Sequence, residues 1–164
     1  MGMDAHRTVK GRSDKPWFSV VCGAFREKVE VEKQGNMRVL VVDDSEFNLD
    51  VIGSVLSAAG VEVVTAGSGF EALDILASGQ AFDAVLLDVQ MPRMDGRETA
   101  MRIRGDGRWP DLPILAVTAS AVDGERERCL EAGMNDFLTK PVNFEALLGS
   151  LARWTRKKID KVAG

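Results

Sequence analysis

From residue 37 onward the chain alternates short apolar runs with amphipathic stretches. Arg38 to Val42 is a strand-like run that stops at two aspartates, Asp43 and Asp44. The following stretch puts Leu49, Ile52, Leu56 and Ala59 on one helical stripe, and Gly60 ends it. Val61 to Thr65 predicts a second strand. Ser68 and Glu71 have the S-x-x-E spacing of a capping box, which opens a second helix. Ala84 to Leu87 predicts a third strand ending at Asp88, and Asp95 to Arg104 a third helix. Pro110 and Pro113 mark the loop into a fourth strand, Leu112 to Thr118. Ala121 to Ala132 predicts a fourth helix, stopped by Gly133. Asp136 to Thr139 is the fifth strand. Asn143 caps a fifth helix whose stripe is Phe144, Leu147, Leu148 and Leu151.

The strand starts near 38, 61, 84, 112 and 136 lie 23, 23, 28 and 24 residues apart. Each interval holds a strand, a crossover helix and two short loops. Five βα units in succession predict an α/β fold, a parallel sheet with helices on both faces. The strands are nearly continuous apolar runs, as strands covered on both faces require.

Charge divides the chain. Residues 1–36 carry seven Lys/Arg against five Asp/Glu, whereas residues 37–164 carry fourteen against twenty. Residues 1–36 also lack the later periodicity and are expected to form a flexible N-terminal extension. Residues 37–156 form the expected domain, and residues 157–164 a charged C-terminal tail. The net charge of −4 argues against a nucleic-acid binder. Cys22 and Cys129 are far apart and suggest neither a disulfide framework nor a zinc site. The single histidine, His6, leaves almost no place for histidine chemistry in the domain. No run approaches the roughly 18 apolar residues of a membrane span. Trp17 to Phe25 is short and is followed by Arg26, Glu27 and Lys28 without a cleavage site, so a cytoplasmic protein is expected.

In open parallel sheets, chemistry gathers at the carboxyl ends of the strands. Those ends read Asp43-Asp44, Asp88, Thr118 and Lys140. If the first and third strands are neighbours, three carboxylates converge and repel, and at least one pKa rises. A hard cation offsets that repulsion. A few oxygen ligands suit Mg²⁺, which keeps several waters. Lys140 is the only lysine between Lys33 and Lys157, while every other cation in that stretch is arginine. Lysine carries a compact point charge where arginine carries a planar fork.

The segments VLVVDDSEFN, VLLDVQMPRMDG, ILAVTASA and AGMNDFLTKP, in this order, resemble the receiver domains of two-component response regulators. The resemblance runs from about Met37 to Trp154. It implies a flavodoxin-like, doubly wound sheet of five strands in the order 2-1-3-4-5 with five flanking helices. It implies that Asp88 is the phospho-acceptor and that Asp43 and Asp44 hold Mg²⁺ together with Asp88 and the backbone carbonyl of Gln90. It implies that Thr118 and Lys140 contact the phosphoryl oxygens, that Thr118 and Phe137 form the switch, and that the Lys140–Pro141 bond is cis. Glu46 to Asn48, Gln90 and the AGMND run resemble receivers of hybrid sensor kinases. The implied partner is a histidine kinase or a histidine phosphotransfer domain, with phosphoryl transfer from phosphohistidine onto Asp88. Such a domain catalyses its own phosphorylation and slow dephosphorylation, and is not a conventional turnover enzyme.

Each residue also has a bland reading: a solvated Asp-Asp loop, a strand-end hydroxyl, a surface lysine, a packed aromatic. The conjunction at successive strand ends favours the functional one. Two rivals remain. A Mg²⁺-dependent aspartyl-phosphate phosphohydrolase would usually carry an aspartate where Gln90 stands. A phosphate-independent interaction module of the same fold would have no need of all five site groups. The predicted fourth helix carries six charged residues between Asp123 and Glu131, which suits an element that packs weakly and shifts. Cys129 is expected to be half-buried there, and Trp154 to end the apolar stripe of the last helix.

Overall fold

The computed structural model describes residues 37–120 and 122–163. The expected N-terminal extension lies outside them. Five strands, β1 (Arg38–Val42), β2 (Glu62–Ala66), β3 (Ala84–Asp88), β4 (Ile114–Thr118) and β5 (Asp136–Thr139), alternate with five helices. These are α1 (Glu46–Ala58), α2 (Gly69–Ala77), α3 (Gly96–Asp106), α4 (Glu125–Glu131) and α5 (Phe144–Ala163). All pairings are parallel, and the order is β2-β1-β3-β4-β5.

The two-residue period of a strand sends alternate side chains to opposite faces, and the core divides accordingly. Leu40, Val42, Val85, Leu87, Ile114 and Ala116 pack with α2, α3 and α4. Val39, Val41, Ala84, Leu86 and Leu115 pack with Ile52, Val55 and Leu56 of α1 and Leu147, Leu148 and Leu151 of α5. β3 and β4 are buried throughout, because helices cover both of their faces.

Most helix starts have a side-chain cap. Ser45 Oγ accepts from Asn48 N, Ser68 Oγ from Glu71 N, Asp95 Oδ1 from Glu98 N and Asn143 Oδ1 from Ala146 N. The Ser68–Glu71 box closes differently from the usual reciprocal pair, since Glu71 Oε2 accepts from Gly67 N.

Two details differ from the sequence expectations. α4 begins at Glu125 rather than 121, because Gly124 is left-handed at φ 85° and interrupts helical backbone. It starts without a side-chain cap. Cys129 is fully buried, not half-buried, because it lies on the one face of α4 that enters the core, beside Ala132 and Met134, while Leu130 stays exposed. α5 continues as helix to Ala163. No helix among the described residues is long and apolar enough to cross a membrane.

Candidate functional site

The register of the sheet builds the site. Val42 is level with Leu87, so Asp43 and Asp88 emerge side by side from β1 and β3. Asp88 is level with Val117, and Thr118 with Thr139, which brings Thr118 and Lys140 to the same edge. The neighbouring strands assumed for the convergence of carboxylates are therefore present. Asp43, Asp44 and Asp88 each offer a carboxylate oxygen, and these oxygens lie within 4.8 Å of one another. Asp43 and Asp88 are buried, whereas Asp44 is exposed.

Lys140 bridges the two buried carboxylates. Its Nζ lies 3.1 Å from Asp43 Oδ2 and 3.3 Å from Asp88 Oδ1. The lysine reaches them from the end of β5, where the Lys140–Pro141 peptide is cis and Lys140 N donates to Thr118 O at 2.7 Å. Gln90 N also donates to Asp88 Oδ1, at 3.3 Å. The Thr118 hydroxyl is fully buried and turned on its own loop. It donates to Ser120 O at 3.3 Å and accepts from Ser120 N at 3.2 Å. Phe137, on β5, is partly buried and packs against the core face that α2, α3 and α4 share.

Electrostatics follows from this crowding. Burial, then the charge of Asp43, pushes the Asp88 carboxyl up to about 6, against the opposing pull of Lys140. Burial acts to lower the Lys140 pKa, but the charge of Asp88 and the hydrogen bond to Asp43 outweigh it and hold the ammonium above its ordinary value. The group thus holds more negative charge than one ammonium offsets. Three convergent carboxylates, all oxygen donors and one of them open to solvent, fit a hard divalent cation that retains water.

Sequence reasoning assigned no role at the site to three contributors. Ser45 N donates to Asp43 Oδ1 at 2.9 Å, and Asn48 Nδ2 donates to Asp43 Oδ2 at 3.2 Å. The five-residue interval from Asp43 to Asn48, one turn into a capped helix, was the available signal. Gly96 lies so close behind Asp88 that an added Cβ would fall 2.3 Å from the Asp88 carbonyl oxygen. Its signal was the glycine directly after the Asp95 cap.

Comparison with known proteins agrees with this geometry. Residues 39–152 match the response regulator receiver domain family. The chain is 41% identical over 121 residues to the sensor protein GacS of Pseudomonas syringae pv. syringae, a match covering 72% of this chain and 13% of that protein. The chain thus spans only a small part of the sensor kinases it matches. Among solved structures, it is similar to the receiver domain of sensor histidine kinase PA1611 from Pseudomonas aeruginosa, which has a magnesium ion coordinated in its active-site cleft. That likeness has a TM-score of 0.67 at 37% identity and covers 74% of this chain and 98% of that one. It is also similar to the receiver domain of Saccharomyces cerevisiae Ssk1, solved with the histidine phosphotransfer protein Ypd1. There the TM-score is 0.69 at 29% identity, covering 76% of this chain and 92% of that one. With its strand order, its acidic cluster and its bridging lysine, the chain belongs to the response regulator receiver domain family.

Proposed function

We propose that this domain takes a phosphoryl group from a phosphohistidine onto Asp88 and passes the event on as a change of surface. The observation that carries the proposal is the Asp43–Lys140–Asp88 bridge at the carboxyl ends of β1, β3 and β5, beside the open carboxylate of Asp44. A carboxylate oxygen of Asp88 attacks phosphorus as the P–N bond to the imidazole breaks, giving an acyl phosphate and a released histidine. Such transfers depend on positioning and charge stabilisation more than on covalent help from the protein. The sheet register supplies the positioning.

Mg²⁺ is the cation proposed for the site, with Asp43, Asp44, Asp88 and the backbone carbonyl of Gln90 as ligands; when bound it neutralises charge on the attacking and transferred oxygens. Lys140 supplies a second cation, and it can turn from Asp43 to the phosphoryl oxygens without leaving Asp88. Thr118 exchanges its contacts with Ser120 for the phosphoryl group, and Phe137 follows into the space it leaves. The proposed working unit is residues 37–156, in the cytoplasm. The proposed partner is a histidine kinase or histidine phosphotransfer domain. Support for that partner is the likeness to hybrid-kinase receivers and to a receiver solved with a phosphotransfer protein.

The test is phosphorylation with acetyl phosphate, and with histidine kinases, in Mg²⁺. One acid-labile phosphate should appear on the peptide containing Asp88, and Asp88→Asn should abolish it. Uptake at the normal rate by the variant would refute the assignment.

A further inference from the structure

Asp43 Oδ2 receives two side-chain donors at once, Lys140 Nζ at 3.1 Å and Asn48 Nδ2 at 3.2 Å. Its other oxygen accepts from Ser45 N at 2.9 Å. A carboxylate can only accept, so the Asn48 amide must present its NH₂ here. The turn that carries Asn48 is itself fixed, since Asn48 N donates to the Ser45 cap. Asp43 is only 2% exposed, so water does not readily replace a lost partner.

These contacts matter because Lys140 has two tasks. Before phosphorylation it bridges Asp43 and Asp88. Once Asp88 carries a phosphoryl group, the ammonium is needed there, and its departure takes one donor from Asp43 Oδ2. The amide of Asn48 is anchored on α1 and has no such second demand. We infer that Asn48 is a positioning residue: its amide keeps the Asp43 carboxylate oriented toward the metal and lets Lys140 leave for the phosphoryl group. The inference rests on the phosphoacceptor function proposed above.

The experiment uses the full chain, with Mg²⁺ alone as the probe. Asn48→Leu keeps the volume and removes the amide. Asn48→Ala removes both at a position in the first helical turn where alanine is well tolerated. Both variants should bind Mg²⁺ about tenfold more weakly by calorimetry, the scale of one hydrogen bond to a charged group. In the metal-free protein the ¹⁵Nζ resonance of Lys140 should also move, because the ammonium becomes the only side-chain donor on Asp43 Oδ2. Wild-type Mg²⁺ affinity in both variants, with affinity lost in Asp43→Asn, would overturn the role of Asn48 and leave the phosphoacceptor function intact. Weaker binding with an unmoved Lys140 resonance would also overturn it, leaving Asn48 a packing role. A wild-type chain that binds no Mg²⁺ would overturn both.

Discussion

The ammonium of Lys140 lies 3.3 Å from Oδ1 of Asp88, although Lys140 directly follows β5 and Asp88 ends β3, with β4 between them. The contact closes over the top of the intervening strand. It makes the charge of β5 answer to the state of β3.

Removing that charge should hurt the chemistry more than the fold. Lys140→Ala leaves Asp88 facing Asp43 without its counter-charge, so the Asp88 carboxyl should titrate higher than about 6. Acyl phosphate formation from acetyl phosphate should slow by roughly tenfold or more, the scale of a charge-assisted hydrogen bond. Lys140→Arg should recover only part of the rate, because a planar fork cannot replace a point charge between two carboxylates. The check is the rate of mass gain at saturating Mg²⁺.

Stability should depend on pH through Asp88. Its folded pKa of about 6 lies above the ordinary 3.8, so the fold binds this proton more tightly than the unfolded chain does. In chelator, the contribution of Asp88 should be fully present below about pH 4 and lost as pH rises through about 6, levelling off once the folded carboxyl is fully ionised. Asp88→Asn should flatten this part of the profile. Melting temperatures from pH 4 to 7, with and without Mg²⁺, are the measurement. A wild-type profile in Asp88→Asn would assign the effect elsewhere.

Thr118→Ala should separate modification from switching. The three carboxylates and Lys140 remain, so beryllofluoride should still bind. The variant lacks a hydroxyl that can bond the phosphoryl group in one state and only Ser120 in the other. Such a one-state contact biases a two-state equilibrium, here by about 1.5–3 kcal/mol. Chemical-shift changes around α4 and β5 should be smaller than in wild type. Changes of full size would refute the coupling.

Asp136 is the predicted mechanical weak point of the α5 attachment. Its carboxylate accepts from Ser150, Arg153 and the Trp154 indole N–H, and from the amide of Phe137. Burial alone would raise its pKa, but these donors outweigh burial and hold it below the ordinary value. The stabilisation is therefore present above about pH 4 and lost as pH falls below it. Asp136→Ala should cost about 2 kcal/mol and lower Tm by roughly 5–10 °C. Thermal melts at pH 7 provide the check, and an unchanged Tm would contradict it.

The strands were legible in the sequence because helices cover both faces of the sheet. β1, β3 and β4 had to be apolar without alternation, so their polar ends stood out. Asp43, Asp88, Thr118 and Lys140 were visible for that reason. The start of α4 was not, because the backbone geometry of Gly124 decides it while the flanking residues still favour helix. Arg104 was equally invisible. Its guanidinium bonds Gly133 O, Trp109 O and Asn135 Oδ1, partners as far as 31 positions away that the folded chain alone brings together. Asn48 was seen as part of a motif, but its task depends on the angle at which α1 leaves β1.

Trp154 gives the molecule an optical gauge of its own. Its indole N–H is bonded to Asp136, and Phe137 follows Asp136 directly on β5. A rotation of Phe137 that displaces this strand end alters the field of a carboxylate acting on the indole. The only other tryptophan among the described residues, Trp109, stacks under Arg108 in the loop before β4, away from β5 in sequence. With Trp17 replaced by Phe, the emission of the unlabelled protein should thus report any shift of β5 against α5 in real time, with no dye placed near Asp88.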